Sequence, residues 1–267
     1  MSRAIALLGK ELADLRQNLA LFLPSVFVAF LTILLPLFIA VIVPYATGER
    51  LSDSSDFEVA LEMYRQNPEA RALDAEAAIQ AYLFQYFLPL LVLGPVTSAM
   101  SIASFSVIGE KQARTLEPLL ATPITTFELL TAKALGALLP AIALTLTSLV
   151  AYLAVVAVFA REGVLWILLG PRSFGIVFLL GPLAAIVALQ LAVCVSSRVN
   201  DARTAQQIGA LVILPVAALM VLQFLGILLL TVPLILVIAL FLLVINAGLM
   251  WVAIRLFDRE TILTRWK

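Results

Sequence analysis

The chain has 267 residues, of which 63% are hydrophobic and 13% are charged, and its 17 basic residues balance its 17 acidic residues. Soluble domains contain about 45–50% apolar and about 25% charged residues, so this composition excludes an ordinary soluble domain and indicates a single multi-pass membrane domain over residues 1–267. A net charge of zero also argues against nucleic acid as a partner.

Residue types that are missing exclude several kinds of site. The sequence has no histidine and a single cysteine, Cys194. One cysteine cannot form an intrachain disulfide, and a chain without histidine has neither a histidine general base nor a histidine metal ligand. We therefore expect no catalytic residue and no metal site, and we expect that the chain is not an enzyme.

Residues 1–18 form the first predicted element. Apolar residues recur there at spacings of three and four, namely Ile5, Leu8, Leu12 and Leu15. This pattern predicts an interfacial helix that lies in the plane of the lipid head groups. The segment also fits a solvated lead-in that only anchors the chain. Because charged residues interrupt its apolar stretch, we expect that it is not a cleaved signal peptide.

Six apolar stretches follow, and a bilayer crossing takes roughly 20 helical residues. The predicted spans cover about residues 20–43, 84–108, 134–159 and 174–196, and two more lie within 208–257. A straight helix over that last stretch would measure roughly 75 Å, so the chain must turn, and Thr231–Pro233 is the predicted turn. The predicted fold class is an all-α membrane protein with six transmembrane helices.

The segment 44–83 is the only sizeable polar stretch, with eight acidic and three basic residues. Asp74 precedes a helical pattern, which predicts that its side chain caps a helix running into the second span. Orientation follows from the basic residues. With both termini in the cytoplasm, the inner segments carry 12 lysines and arginines and the outer loops carry five. The positive-inside rule therefore makes 44–83 an extracytoplasmic loop.

The second and third spans are joined by a charged cytoplasmic segment, 109–124. Gly109 is predicted to end the second span. Apolar residues then form one edge of a short helix, namely Ala113, Leu116, Leu119 and Leu120. Thr122–Pro123 stops that helix, because the residue before a proline is pushed out of helical geometry. The pattern predicts a small rigid helix held at both ends by membrane spans.

The stretch GEKQARTLEPLLATPITTFELLTAK, residues 109–133, resembles the signature of the type-2 ABC transporter permeases, roughly E-x-E-x-G-T-L-E-x-L-L-x-T-P-I-x-x-x-E-x-x-x-x-K. The matching residues are Glu110, Thr115–Glu117, Leu119, Leu120, Thr122–Ile124, Glu128 and Lys133. Arg114 stands where glycine is common, and only one acidic residue precedes the Thr-Leu-Glu core. Residues 196–215 and 256–266 are also similar to later segments of that family.

The resemblance implies a permease subunit of an exporter in a prokaryotic plasma (inner) membrane. Such a subunit pairs with a second copy, here expected as a homodimer, above two cytoplasmic ATPase subunits that bind ATP and magnesium. It makes 109–124 the coupling helix, with the ATPase-coupling residues Glu110, Lys111, Arg114, Thr115, Leu116, Glu117, Leu119, Leu120, Thr122 and Pro123. The chain itself has no phosphate-binding loop, so another chain would supply the nucleotide site.

Small and hydroxyl residues on the second span suggest a place for the cargo. Thr97, Ser101 and Ser104 share one helix face, and Gln223 is a single amide in the fifth span. Together they are candidates to line a translocation path. The same face also fits close helix packing, since small residues let membrane helices approach each other.

Two other functions fit parts of the sequence. The complex could act on a periplasmic protein partner through 44–83 without moving cargo across the membrane. An ion-coupled secondary carrier would instead need internal repeats and a buried ion site. The span centres carry no charged residue, which disfavours the carrier.

Overall fold

Helices form every regular element of the computed structural model. It describes residues 9, 13, 19–54, 57–65, 70–112, 126–196, 199, 201, 204, 207, 210–225 and 227–256. No strand occurs in these parts of the chain, which confirms the all-α prediction. The predicted interfacial helix, 1–18, lies outside the described residues except for Gly9 and Ala13.

Nine helices are numbered here along the described chain. They are α1 (Leu23–Thr47), α2 (Glu58–Tyr64), α3 (Ala75–Phe87), α4 (Leu90–Gln112), α5 (Thr126–Phe159), α6 (Val164–Leu168), α7 (Pro171–Ser196), α8 (Ile213–Phe224) and α9 (Val232–Leu256). Two of them contain a π-helical stretch, Phe38–Ile42 in α1 and Gly175–Leu180 in α7. Short 3₁₀ turns lie at Leu19–Phe22, Leu51–Asp53, Ala70–Ala72 and Ala210–Val212.

Five described segments are long and apolar enough to cross a membrane, and the six-span count is not confirmed. They are α1, α3 with α4, residues 131–159 of α5, α7 and α9. The fifth predicted span corresponds to α8, which has 12 residues. That helix is roughly 18 Å long, well short of the roughly 30 Å of hydrocarbon.

The predicted turn at Thr231–Pro233 is misplaced. The chain leaves helical geometry after Phe224, and α9 already begins at Val232. The Ile235 N–H donates to the Thr231 carbonyl at 2.9 Å, so Pro233 lies within the first turn of α9. A proline costs little there, because the first N–H groups of a helix have no partner within the helix.

Asp74 caps α3 as predicted. Its Oδ1 accepts a hydrogen bond from the Ala77 N–H at 3.0 Å. The helix runs to Phe87, turns at Leu88–Pro89 and continues as α4. The interruption lies at a proline, which has no N–H to donate to the helix.

The prediction that Gly109 ends the second span is wrong. Helix α4 continues through it to Gln112, so the predicted coupling helix, 109–124, begins inside α4. The side chains of Glu110 and Lys111 contact neighbouring segments and hold the helix end in place. Residues 113–124 of that prediction lie outside the described residues.

Two membrane segments, α3 with α4 and α7, form the centre of the bundle. In the segment made of α3 and α4, 83% of the most apolar window is buried, and in α7 the share is 67%. The shares for α1, the described part of α5 and α9 are 22%, 22% and 11%. Helices α1 and α5 pack on α4, and α9 packs on α7. The outer helices therefore present apolar side chains to lipid, as a membrane protein requires.

The described residues of segment 48–74, namely 48–54, 57–65 and 70–74, fold onto the end of the bundle opposite to Gln112. The side chains of Leu51, Tyr64 and Ala70 are buried. The carboxylate of Glu76 in α3 accepts hydrogen bonds from the N–H groups of Leu51, at 3.2 Å, and Ser52, at 3.1 Å. These contacts fasten the segment to α3 at one defined place.

Replacing Gly163 with alanine is expected to destabilise the fold more than the same change at Gly48. Both glycines have positive φ, +89° and +74°, which costs an L-residue about 1–2 kcal/mol. A Cβ at Gly163 would also lie 2.6 Å from Leu73 Cδ2, whereas a Cβ at Gly48 would meet nothing within 4 Å. Because the Leu73 side chain can shift, we expect an excess of about 1 kcal/mol.

Unfolding of the two variants in the same micelles would measure the difference. Equal losses of stability at the two positions would show that the Leu73 side chain moves away from the new Cβ without a measurable loss of stability.

Candidate functional site

A buried ion pair joins α4 and α5 at the end of the bundle where these helices approach their connecting segment. Lys133 Nζ lies 2.8 Å from Glu110 Oε2, and it donates a hydrogen bond to Ser106 Oγ at 2.7 Å. Lys133 and Glu110 are 4% and 7% exposed. A pair this well shielded fixes the spacing of the two helices, because separating the charges in a poorly solvated place is costly.

The chain that follows α7 reaches the same region. Lys111 Nζ donates a hydrogen bond to the Val199 carbonyl at 3.3 Å. Just beyond, the Asp201 carboxylate accepts hydrogen bonds from the N–H and the hydroxyl of Thr204, at 3.2 and 3.1 Å. Helices α4 and α5 and the segment after α7 are therefore linked where the predicted coupling segment begins and ends. We name this cluster of Glu110, Lys111, Lys133 and Val199 the junction.

The junction contains two of the predicted coupling residues, Glu110 and Lys111. The others lie outside the described residues, namely Arg114, Thr115, Leu116, Glu117, Leu119, Leu120, Thr122 and Pro123. Their role stays a prediction. The sequence signature includes Glu110 and Lys133 separately, and only the structure places them in contact.

The candidate path residues on α4 are buried within one copy of the protein. Thr97, Ser101 and Ser104 are buried, and helix α1 packs on α4. The hydroxyls of Ser25 and Thr97 lie 3.1 Å apart, and Thr97 also donates to the Leu93 carbonyl at 2.8 Å. In this conformation the hydroxyl face makes helix contacts. A role in lining a path stays a prediction.

Gln223, the fourth candidate path residue, lies on α8. It is buried, and within the described chain its Nε2 has no hydrogen-bond partner. Its role in lining a path also stays a prediction.

A cysteine placed at Ser101 is expected to resist a membrane-permeant maleimide in the resting protein, because Ser101 is buried. The background would carry Cys194→Ala, which removes the natural thiol. Glu62, which is exposed on α2 outside the membrane spans, provides the labelled control as Glu62→Cys. If Ser101 lines a path, labelling of Ser101→Cys should rise during ATP turnover by the purified complex. Rapid labelling at rest would contradict the burial.

A polar cluster at the opposite end of the bundle was missed by the sequence analysis. Gln85 Oε1 accepts hydrogen bonds from Tyr64 Oη at 3.1 Å and from Arg172 Nη1 at 2.9 Å. Gln85 Nε2 donates to the Ile167 carbonyl at 3.5 Å. The Gln85 side chain thus joins α3 to Tyr64 of α2, to Ile167 of α6 and to the start of α7.

The predicted fourth span began at 174 and left Arg172 in an outer loop. The structure begins α7 at Pro171, so Arg172 lies in the first turn of a membrane helix. One sequence signal could have shown this, because a proline after a glycine is typical of a first helical position.

Gln80 makes a second set of links at this end. Its Nε2 donates to the Ala40 carbonyl of α1 at 3.1 Å, and its Oε1 accepts from the Arg161 N–H at 2.9 Å. The nearby ion pair of Arg161 and Asp74, at 3.2 Å, is about half exposed and contributes little stability.

Comparison with known proteins gives one match. A family model described as ABC-2 family transporter protein matches residues 5–256, which is most of the chain. Neither the curated proteins nor the solved structures contain a match. Among the described residues, no group of three or more acidic, cysteine or histidine side chains could hold a metal ion.

Proposed function

This chain belongs to the ABC-2 family of transporter proteins, and from that premise we propose that it is the permease of an exporter driven by ATP hydrolysis on separate subunits. Membership makes it a multi-pass membrane permease that works with ABC ATPase subunits. The proposal adds the direction of transport, the coupling mechanism and the assembly from two copies.

The observation that carries the coupling proposal is the junction. Helix α4 extends to Gln112 and α5 begins at Thr126, and the Glu110–Lys133 pair clamps their ends. A displacement of the segment between these helices would therefore move both of them together. An ATPase that binds this segment could in this way change the relative free energies of two permease conformations.

In the proposed cycle, ATP draws the two ATPase subunits together and the coupling segments follow. The two permease copies then tilt from an inward-open to an outward-open state, and hydrolysis resets them. Magnesium and ATP would bind to the ATPase subunits, and this chain would supply no catalytic group. We place both termini in the cytoplasm of a prokaryote and the complex in its plasma membrane, because the basic residues favour that orientation.

The proposed homodimer leaves an apolar cleft between copies. Helix α1 exposes large apolar side chains at Leu23, Phe27, Phe30 and Phe38. These positions recur at spacings suited to one helix face, and they lie on the helix that packs on α4. Such a wall favours amphipathic or lipid-like cargo over small ions, since it offers no charge.

A native pull-down tests the proposal. The tagged protein would be extracted gently from its own cells beside a variant with Arg114→Glu and Glu117→Arg. We expect ATPase subunits to copurify with the natural protein and to be lost from the variant. A matched control reverses Glu62 and Arg65, an exposed pair with the same spacing at the other end of the bundle, and should retain the ATPase.

Two results would contradict the proposal. If the variant with Arg114→Glu and Glu117→Arg captured as much ATPase as the natural protein, residues 109–124 would have no coupling role. If several mild detergents yielded no ATPase from any form, the ion-coupled carrier would become the better hypothesis. Gradient-driven flux in liposomes would then be the next assay.

One observation favours a second function, in which the complex acts on a periplasmic protein. Segment 48–74 is fastened to α3 through Glu76, and it presents the exposed acidic side chains of Glu58 and Glu62. A fixed acidic surface suits a protein contact. Reversing both exposed charges while leaving the buried side chains intact should abolish activity if this contact is essential, and it should leave export unchanged if it is not.

A further inference from the structure

A cavity with both polar and apolar lining lies between Tyr64 and Ala70 on one side and the starts of α7 and α9 on the other. Its volume is about 260 Å³. The side chains of Tyr64, Gln85, Arg172 and Thr231 contribute its polar lining. Arg172 is the only charged residue among the described residues that line it.

The guanidinium of Arg172 is incompletely satisfied. Nη1 donates to Gln85 Oε1 at 2.9 Å, but Nε is buried and has no hydrogen-bond partner within the described chain. No described carboxylate lies within 4 Å of this guanidinium. A cation largely removed from water needs an anionic partner, and a guanidinium fits phosphate oxygens in a two-point contact. None of the described residues that line the cavity supplies a negative group.

A second cavity, of about 390 Å³, lies between α7, α8 and α9, and Leu230 lines both cavities. Its lining is almost wholly apolar and includes Val92, Leu180, Leu219 and Ile245. Leu211 and Phe241 also line it and are 60% and 64% exposed, so the cavity opens on the lipid-facing side of the bundle.

We propose that one anionic phospholipid occupies both cavities, with its phosphate on Arg172 and an acyl chain between α7, α8 and α9. The adjoining cavities match the two parts of such a molecule, and charge complementarity at Arg172 selects an anionic head group. An acyl chain restores the packing contacts that an apolar void would lose. Water would not serve there, because an apolar cavity offers it no hydrogen bonds.

A lipid fits better than a free anion. The apolar cavity shares Leu230 with the cavity at Arg172, and a small anion would leave the apolar cavity unfilled. A phospholipid already resides in the membrane and can enter past Leu211 and Phe241. This site lies away from the hydroxyl face of α4, and its occupation requires no ATPase.

The test uses the full chain purified in a neutral detergent, with melting temperature as the readout. Three additions are compared at equal concentrations: phosphatidylglycerol, phosphatidylcholine and glycerol 3-phosphate. We expect phosphatidylglycerol to raise the melting temperature with a half-saturating concentration at least about tenfold lower than that of phosphatidylcholine. Glycerol 3-phosphate should have no effect in the same range.

Two variants locate the site. Arg172→Gln keeps a hydrogen-bond donor but removes the charge, and it should abolish the preference for phosphatidylglycerol. Arg161→Gln, an exposed arginine at the same end of the bundle, should keep that preference. Val216→Phe narrows the apolar cavity and should weaken binding of both phospholipids.

Three outcomes would overturn the proposal. They are equal half-saturation by the two phospholipids in the natural protein, an unchanged preference in Arg172→Gln, and stabilisation by glycerol 3-phosphate equal to that by phosphatidylglycerol. The last would show a site for a free anion. If Arg172→Gln fails to fold, the comparison of the three additions on the natural protein still decides the matter.

Discussion

Replacing Lys133 with methionine is expected to destabilise the protein by about 3–5 kcal/mol, because the change leaves the Glu110 carboxylate buried without its counter-charge. Lys133 Nζ lies 2.8 Å from Glu110 Oε2, and less than 9% of each side chain is exposed. The pair lies near the end of α4 and the start of α5. Methionine keeps much of the length and apolar surface of the lysine stem. The loss should therefore come from the charge rather than from a cavity.

A double variant separates these two causes. Glu110→Gln combined with Lys133→Met removes both charges, and we expect it to recover most of the lost stability. Arg161→Met serves as the matched control, because it breaks an ion pair with Asp74 that is about half exposed. That change should cost less than about 1 kcal/mol.

Unfolding in mixed micelles, followed by helical circular dichroism, would measure all three variants. If Lys133→Met and Arg161→Met lost similar stability, the Glu110–Lys133 pair would not be the buried clamp that the structure describes. If the proposed function is correct, Lys133→Met should also reduce transport more than it reduces ATP hydrolysis, since the two helices would no longer move together.

Replacing Glu76 with alanine is expected to release segment 48–74 from α3. The carboxylate accepts hydrogen bonds from the N–H groups of Leu51 and Ser52 at 3.2 and 3.1 Å, and the Glu76 side chain is buried. A hydrogen bond to a charged group contributes about 1.5–3 kcal/mol. Losing both should therefore weaken the local fold by about 3 kcal/mol or more.

Hydrogen exchange provides the measurement. A local cost of about 3 kcal/mol corresponds to roughly a hundredfold faster exchange of the Leu51 and Ser52 amide protons. Glu76→Gln is the matched control, because glutamine has almost the same size as glutamate and its amide oxygen can still accept one hydrogen bond. We expect an intermediate rate for that variant and faster tryptic cleavage after Arg50 in the alanine variant.

Unchanged exchange of both amides in Glu76→Ala would show that buried apolar contacts alone hold the segment. Those contacts come from Leu51, Tyr64 and Ala70. In that case the two hydrogen bonds would be a consequence of docking and not its cause.

Much of the fold was accessible from the sequence alone. Hydropathy located four of the observed spans, because any stretch of about 20 apolar residues satisfies the same requirement of the bilayer. It also placed the last span within 208–257, where α9 lies. Asp74 was identified as a helix cap because capping is a local interaction over three residues. The family signature rested on consecutive residues as well, and the family match over 5–256 confirms it.

Tertiary structure decided which charged and polar groups meet. The pairing of Glu110 with Lys133 and the three-way contact of Gln85, Tyr64 and Arg172 join residues far apart in the chain. Hydropathy could not reveal these contacts, because a membrane helix is apolar on its lipid-facing and its buried sides alike. For the same reason Thr97 on α4 carried no sign of its contact with Ser25 on α1. The sequence therefore determined which segments enter the membrane, while packing between helices determined which side of each segment faces its neighbours.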